Sequence, residues 1–392
     1  VKNVQKKAPS ILIIIALVGF PQISESIFAP VLPALSRAFN VSAQTSQLTM
    51  SSYFIGFAVG VVFWGRRSDR IGRRQAMLWG IVVYLIGNLG LLFADYFPLL
   101  MTARILQAFG AAVGSVVTQT IMRESFRGVR GERVFAQVSA AMSLSPALGP
   151  LIGGTLQTYW GGYRSVFFAL VIMAMLLWGY TKLRLPETLT QVVTQTMPWW
   201  QVAGRLARTP RVWVYGLLIS GINGVLFSYY AEAPFVFETH FGLSAVQYGW
   251  SGMVIAAASL VGASLATTLA GRVTPETLID AGLGLALIGS VALFVGIQQL
   301  ASAFIAIFLA FTGINLALPM VLNRVLIGFE DVMGTASGLL SLGYYLGISA
   351  LTLLMSAMHN GTVWVLPQYM TLVVAVMLIG SVGLHRIIKI KA

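Results

Sequence analysis

Apolar runs close to the length of a bilayer crossing recur from one end of this 392-residue chain to the other, and few charges interrupt them. Ile11–Phe20, Ile81–Ala94, Val166–Tyr180 and Ala303–Leu318 each sit within a longer apolar stretch. Those stretches approach the roughly 20 residues needed to cross a hydrocarbon core. No water is available there to satisfy backbone N–H and C=O groups, so the stretches must be helical. Charged residues make up 9% of the chain. A water-facing surface needs about 25%, so most of this surface faces lipid. The fold class that follows is an all-α membrane protein.

The pattern reads as twelve transmembrane helices at 9–36, 44–65, 75–94, 98–121, 134–158, 163–181, 211–237, 244–270, 277–297, 300–323, 332–357 and 362–385. With a cytoplasmic N-terminus and alternating sides, every Lys and Arg except Arg37, Arg104 and Arg164 falls on the cytoplasmic side. An odd number of spans would scramble this partition, so both termini are expected inside. The net charge of +13 is therefore a topology signal and not the mark of a nucleic-acid partner. The first apolar run continues through Pro21, Glu25, Pro30 and Pro33 without a small-residue cleavage site, and it reads as a span, not a signal peptide.

The longest hydrophilic stretch, 182–210, divides an N-terminal six-helix bundle (1–181) from a C-terminal one (211–392). Trp199, Trp200, Arg205 and Arg208 lie within it, as a short amphipathic helix on the inner surface or as plain linker. The halves look like weak parallel repeats: Glu25-Ser-Ile-Phe-Ala-Pro30 in the first span echoes Tyr230-Ala-Glu232-Ala-Pro234 in the seventh.

Three motifs carry a resemblance. After the second span comes Gly65-Arg-Arg-Ser-Asp69-Arg70-Ile-Gly72-Arg73-Arg74, where Gly65 and Gly72 permit a tight turn and Asp69 favours a helix N-terminus. The fourth span holds Arg104-Ile-Leu-Gln107-Ala-Phe-Gly110; an intramembrane arginine faces a cavity or partner, or else snorkels outward. The fifth holds Ser145-Pro-Ala-Leu-Gly149-Pro150-Leu-Ile-Gly153-Gly154, whose prolines bend a helix and whose glycines admit a neighbouring backbone. These resemble the loop, Arg-x-x-Gln-x-x-Gly and antiporter motifs of the major facilitator superfamily, Ser145 replacing the first antiporter glycine. Leu185-Pro186-Glu187-Thr188, Pro234-Phe235-Val236-Phe237 and Gly334-Thr-Ala-Ser-Gly338 are smaller echoes. The chain is most similar to the twelve-span drug:proton antiporters of the bicyclomycin and chloramphenicol resistance type. Several of those place an acid where this chain has Ser26; here Glu25 stands one residue earlier, about 100° round the helix.

The resemblance implies two pseudo-symmetric bundles and proton-coupled export of amphipathic or lipophilic organic compounds, drugs and organic cations among them, by alternating access. It also implies a bacterial inner membrane, a monomer and no cofactor. Gly65, Asp69, Arg70, Gly72 and Arg73 would latch the inner side, and Gly149, Pro150, Gly153 and Gly154 would shape the fifth span. Proton coupling falls to Glu25 and Glu232, the two acids inside apolar spans, with Arg104 holding one of them charged. Burial favours the neutral form of a carboxyl, so proton and substrate would compete. Cavity walls from spans one, four, seven and ten would supply Gln22, Phe28, Gln119, Asn223, Phe227, Tyr229, Tyr230 and Asn315 for substrate binding, with cation–π contact for lipophilic cations.

Two other classes compete on the residues present. An exporter dedicated to a metabolite such as a siderophore, sugar or amino-acid derivative carries the same motifs. An intramembrane enzyme would need a constellation that His240, His359 and His385, far apart and near span ends, do not form. Cysteine is absent, so thiolate chemistry and disulfides are excluded, and no Walker-type loop is present.

Overall fold

Eleven helices among the described residues are long and apolar enough to cross a bilayer. The computed structural model describes residues 8–126, 134, 137, 138, 141, 142, 144–189 and 197–391, with 387–391 as backbone only. Lys2, Lys6, Lys7, Arg127, Arg130, Arg133, the start of the fifth span and the linker at 190–196 lie outside the described residues.

The first span is α1 (Ile11–Ser26), a 3-10 turn at Ala29–Val31, and α2 (Leu32–Ala38). Pro30 and Pro33 cannot donate the backbone bonds that a continuous helix needs. Ser42 caps α3 (Ala43–Ile71) by accepting from the Thr45 N–H. Gly65 lies inside α3, so the expected turn there is absent; the chain reverses only at Gly72, with φ +94°. Helix α4 (Arg73–Leu92) follows at once, then α5 (Phe97–Ser125). The fifth span is described from Ser145 as α6 (Ser145–Tyr159), which runs unbroken through Pro150, and α7 (Tyr163–Arg184) completes the first half.

In the second half, α9 (Pro210–Pro234) continues as a wider π turn, Phe235–His240. It is followed by α10 (Ala245–Leu269), α11 (Pro275–Gly296), α12 (Leu300–Arg324), α13 (Met333–Met358) and α14 (Val365–Lys391). Between the halves, α8 (Trp199–Ala207) is the amphipathic alternative for the linker. Val202 and Leu206 are buried beside Phe329 and Ala336, Arg205 pairs with Asp331 at 2.8 Å, and Trp199 and Trp200 stay exposed.

Helix α3 packs on α13 and α6 on α10, and these two pairs join the halves. They meet at the end away from the arginine-rich loops. There the Ser349 hydroxyl donates to the Ser51 carbonyl (2.9 Å), Ser356 to the Gln44 carbonyl (2.7 Å), and the Gln44 amide to the His359 carbonyl (2.6 Å). At the arginine-rich end α13 packs on α8 through Ala336, but a Cβ at Gly334, Gly338 or Gly343 would meet nothing within 4 Å. A groove lined by Val59, Val62, Phe63, Arg66, Arg67, Arg70 and Leu342 separates it from α3. The molecule is thus closed at one end and parted at the other.

Candidate functional site

The fourth-span arginine does not snorkel. Arg104 is fully buried, and it donates to the Ser24 carbonyl (3.1 Å), the Thr49 carbonyl (3.4 Å) and the Gln107 amide oxygen. Its guanidinium lies 3.6 Å from the Phe28 ring centre and 4.2 Å from that of Tyr53, a cation–π sandwich. Gln107 passes the network to Asn88 (2.6 Å), and Ser24 meets the Tyr84 hydroxyl. Every polar member of this knot is buried, which suits a charge that lipid cannot hydrate. One guanidinium nitrogen, Nη2, has no hydrogen-bond partner among the described residues.

Glu25 is 5% exposed, and among the described residues its carboxylate makes no hydrogen bond or ion pair. It lies within electrostatic range of Arg104 on α5, Tyr53 on α3, Tyr230 on α9, and Tyr344 and Tyr345 on α13. The one-residue offset therefore leaves Glu25 among groups from both halves. Ser26 turns the other way, donating to the Gln22 carbonyl (2.8 Å) and occupying the space where a Gly149 side chain would begin. Those tyrosines belong to an aromatic cluster drawn from both halves: Phe54 to Phe227 at 4.5 Å, Phe57 to Tyr345 at 4.7 Å, Tyr344 to Tyr345 at 4.4 Å, and Phe227 to Tyr230 at 5.9 Å between ring centres.

Glu232 belongs to a different group. It is 1% exposed, accepts from the Gln47 amide at 2.7 Å, and pairs with His359 Nδ1 at 2.8 Å. The two glutamates share no hydrogen-bond partner, and Arg104 is in direct contact with neither among the described residues.

Of the remaining substrate candidates, Phe28 is stacked on Phe167 beneath Arg104, and Tyr229 points at Phe311 within the second half. Asn223 and Asn315 donate to carbonyls of their own helices, Ile219 and Phe311, while Gln119 is exposed and Gln22 half-buried. Phe227 and Tyr230 alone among them join the aromatic cluster that spans the two halves. Tyr53, Phe54, Phe57, Tyr344, Tyr345, Gln47 and His359 were missed, because spans two and eleven were not counted as walls. Their spacing was the available signal: Tyr53 and Phe57, one turn apart, share a face.

At the arginine-rich end, Arg73 bonds Asp69 and Ser68 and pairs with Glu124 at 2.8 Å, while Arg70 is exposed. Asp69 does not sit at the N-terminus of α4. Glu187 does, accepting from the backbone N–H of Arg73 (2.9 Å) and Arg74 (3.2 Å). In the fifth span, side chains at Gly153 and Gly154 would strike the carbonyls of Ile27 and Ala245. A Cβ at Gly249 would lie 2.6 Å from the Pro150 carbonyl oxygen. These glycines let α6 lie flush on α1 and α10 and seal the closed end. A further polar knot, also missed, ties His385 to Asp280 (3.0 Å) and Tyr215 (3.3 Å).

Sequence comparison matches the Major Facilitator Superfamily over residues 14–352. An uncharacterized transporter of Rickettsia bellii is 33% identical over 366 residues, covering 89% of this chain and 90% of that protein. A chloramphenicol resistance protein of Pseudomonas aeruginosa is 27% identical over 378 residues, covering 93% and 87%. The crystal structure of a D-xylose-proton symporter has the same fold, with a TM-score of 0.74 at 16% identity over 94% of this chain and 96% of that one. Eleven membrane-length helices and a partly described fifth span, the knot around Arg104, the glycine packing of that fifth span and these similarities converge: this chain is a multi-pass membrane transporter that belongs to the major facilitator superfamily.

Proposed function

We propose that the chain is a proton-coupled antiporter that exports amphipathic or lipophilic organic compounds across a bacterial inner membrane. It acts as a monomer with the arginine-rich end and both termini in the cytoplasm. The bundles 1–181 and 211–392, joined by the linker 182–210, rock about the centre. The carrying observation is Glu25: a buried carboxylate, without a hydrogen-bond partner among the described residues, within electrostatic range of tyrosines from both halves. An unpaired carboxylate in low dielectric binds a proton or a cationic group to relieve its charge. The rings supply apolar area and cation–π faces for the same ligand. Loading of one therefore displaces the other, which is the requirement for exchange. Arg104 sets the local potential from a distance. Glu232 is the second proton-accepting acid, at the closed end. The similarity to a chloramphenicol resistance protein supports drugs as cargo.

The test is a proteoliposome assay with an imposed pH gradient, reading proton flux on addition of chloramphenicol or a lipophilic cation such as ethidium. The wild-type protein should show substrate-dependent flux. Glu25→Gln should lower it by about tenfold or more, ~1.4 kcal/mol on the rate scale. Full coupling in Glu25→Gln would remove that residue from the mechanism.

A further inference from the structure

The closed end carries a charge arrangement separate from the Glu25 site. Glu232 on α9 is nearly sealed, and His359, just past α13, places Nδ1 at 3.0 and 2.8 Å from its two oxygens. Both belong to the second half. The third member, Gln47 on α3, comes from the first half and donates to Glu232 at 2.7 Å. Its own amide oxygen is buried with no hydrogen-bond partner among the described residues, so Gln47 is held through its N–H on the carboxylate.

We infer that Glu232, His359 and Gln47 form a proton-binding latch, and that the closed end holds one proton more than the open end. The cause is electrostatic. With imidazole neutral, a sealed Glu232 carboxylate would be an uncompensated charge in low dielectric, which is strongly unfavourable. With one proton added on the imidazole, the pair is neutral overall and Gln47 still has its acceptor. When α3 swings away, water reaches the carboxylate, and it can stand charged without the proton. A proton arriving from the periplasmic side thus favours closure. That is the direction needed for a loaded carrier to turn inward, and the sidedness rests on the antiporter reading above. Histidine is the side chain that ordinarily changes charge between about pH 5 and 8.

The facing groups on the packed elements are uncharged: Gln44 on α3, Ser356 on α13, and the ring of Phe235 at 5.5 Å from the imidazole. Among the described residues, Glu25 and Arg104 deeper in the molecule, and Arg37, Glu238 and His240 at this end, make no hydrogen bond or ion pair with Glu232 or His359.

The chain contains no cysteine, so a single one can report on the seam. Ser349→Cys places a thiol where the hydroxyl now reaches the Ser51 carbonyl across the halves. Its labelling by a membrane-impermeant maleimide from the periplasmic side is normalised to exposed Thr362→Cys, to remove the pH dependence of the thiol itself. Normalised labelling should rise with pH between about 5.5 and 8.5, by up to about tenfold per unit for one linked proton. Glu232→Gln should stay closed and lose the rise above about pH 7, because a neutral amide needs no proton on the imidazole to be sealed. His359→Asn should label across the whole range, with His359→Gln as a second variant if the first does not purify as a monodisperse species. A flat profile in the parent, or an unchanged profile in Glu232→Gln and the His359 variants, overturns the latch. Because labelling does not read flux, coupling that survives Glu25→Gln would sink the transport reading and leave the latch standing.

Discussion

At the scale of single residues, the decisive contrast is between two carboxylates that the sequence presents alike. Glu25 and Glu232 stand at similar distances from a proline, yet one is unpartnered amid rings and the other is bonded by an amide and an imidazole. Sequence spacing identifies an acid inside a span but cannot say what crosses from another helix to meet it. Gln47 and His359 are 185 and 127 positions away from Glu232. Arg104 was readable as intramembrane, and its burial follows from its partners, the Ser24 and Thr49 carbonyls and Gln107. Arg104→Lys keeps the charge but cannot reach all three from one ammonium. The loss should be about 1.5–3 kcal/mol for each charge-assisted bond broken, seen as a lower melting midpoint in detergent.

At the scale of elements, the helix count and most boundaries were legible because lipid permits so few backbone solutions. Ends set by tertiary contact were not. Helix α3 passes Gly65 and stops at Gly72, where Glu187 from the end of the sixth span caps the next helix. Only the fold brings Glu187 there. The fifth span shows the reverse case: its glycines were visible, and the structure supplies the partners, α1 and α10. Gly154→Val would force a side chain onto the Ala245 carbonyl at the closed end. Overpacking of this kind costs about 1–3 kcal/mol, comparable to the gap between carrier conformations. The variant should therefore populate a state open at that end, read as increased labelling of Ser349→Cys at acid pH.

At the scale of the molecule, the side-chain hydrogen bonds that join the halves among the described residues gather at the closed end, with one more from the Tyr230 hydroxyl to the Pro146 carbonyl. Ser356 on α13 and Gln44 on α3 touch across that seam. Cysteines at both positions, oxidised with copper phenanthroline, should abolish transport while ligand binding from the arginine-rich side persists, and reductant should restore flux. Retained transport in the cross-linked protein would show that this end need not open. The two-bundle plan was legible from the loop charges and the hydrophilic stretch, whereas the conformation was not. It depends on differences of a few kcal/mol between packings that share one sequence. The unbroken length of α3, 29 residues and so ~44 Å from tip to tip, has a consequence of its own. A rod of that span, seated on α5 along its middle where a Cβ at Gly60 would lie 2.6 Å from the Phe109 carbonyl oxygen, swings as a single beam. On the antiporter reading proposed above, pressing one tip against the opposite bundle lifts the other, so the bilayer is never pierced by a continuous hole and the proton-motive store is not short-circuited while cargo leaves.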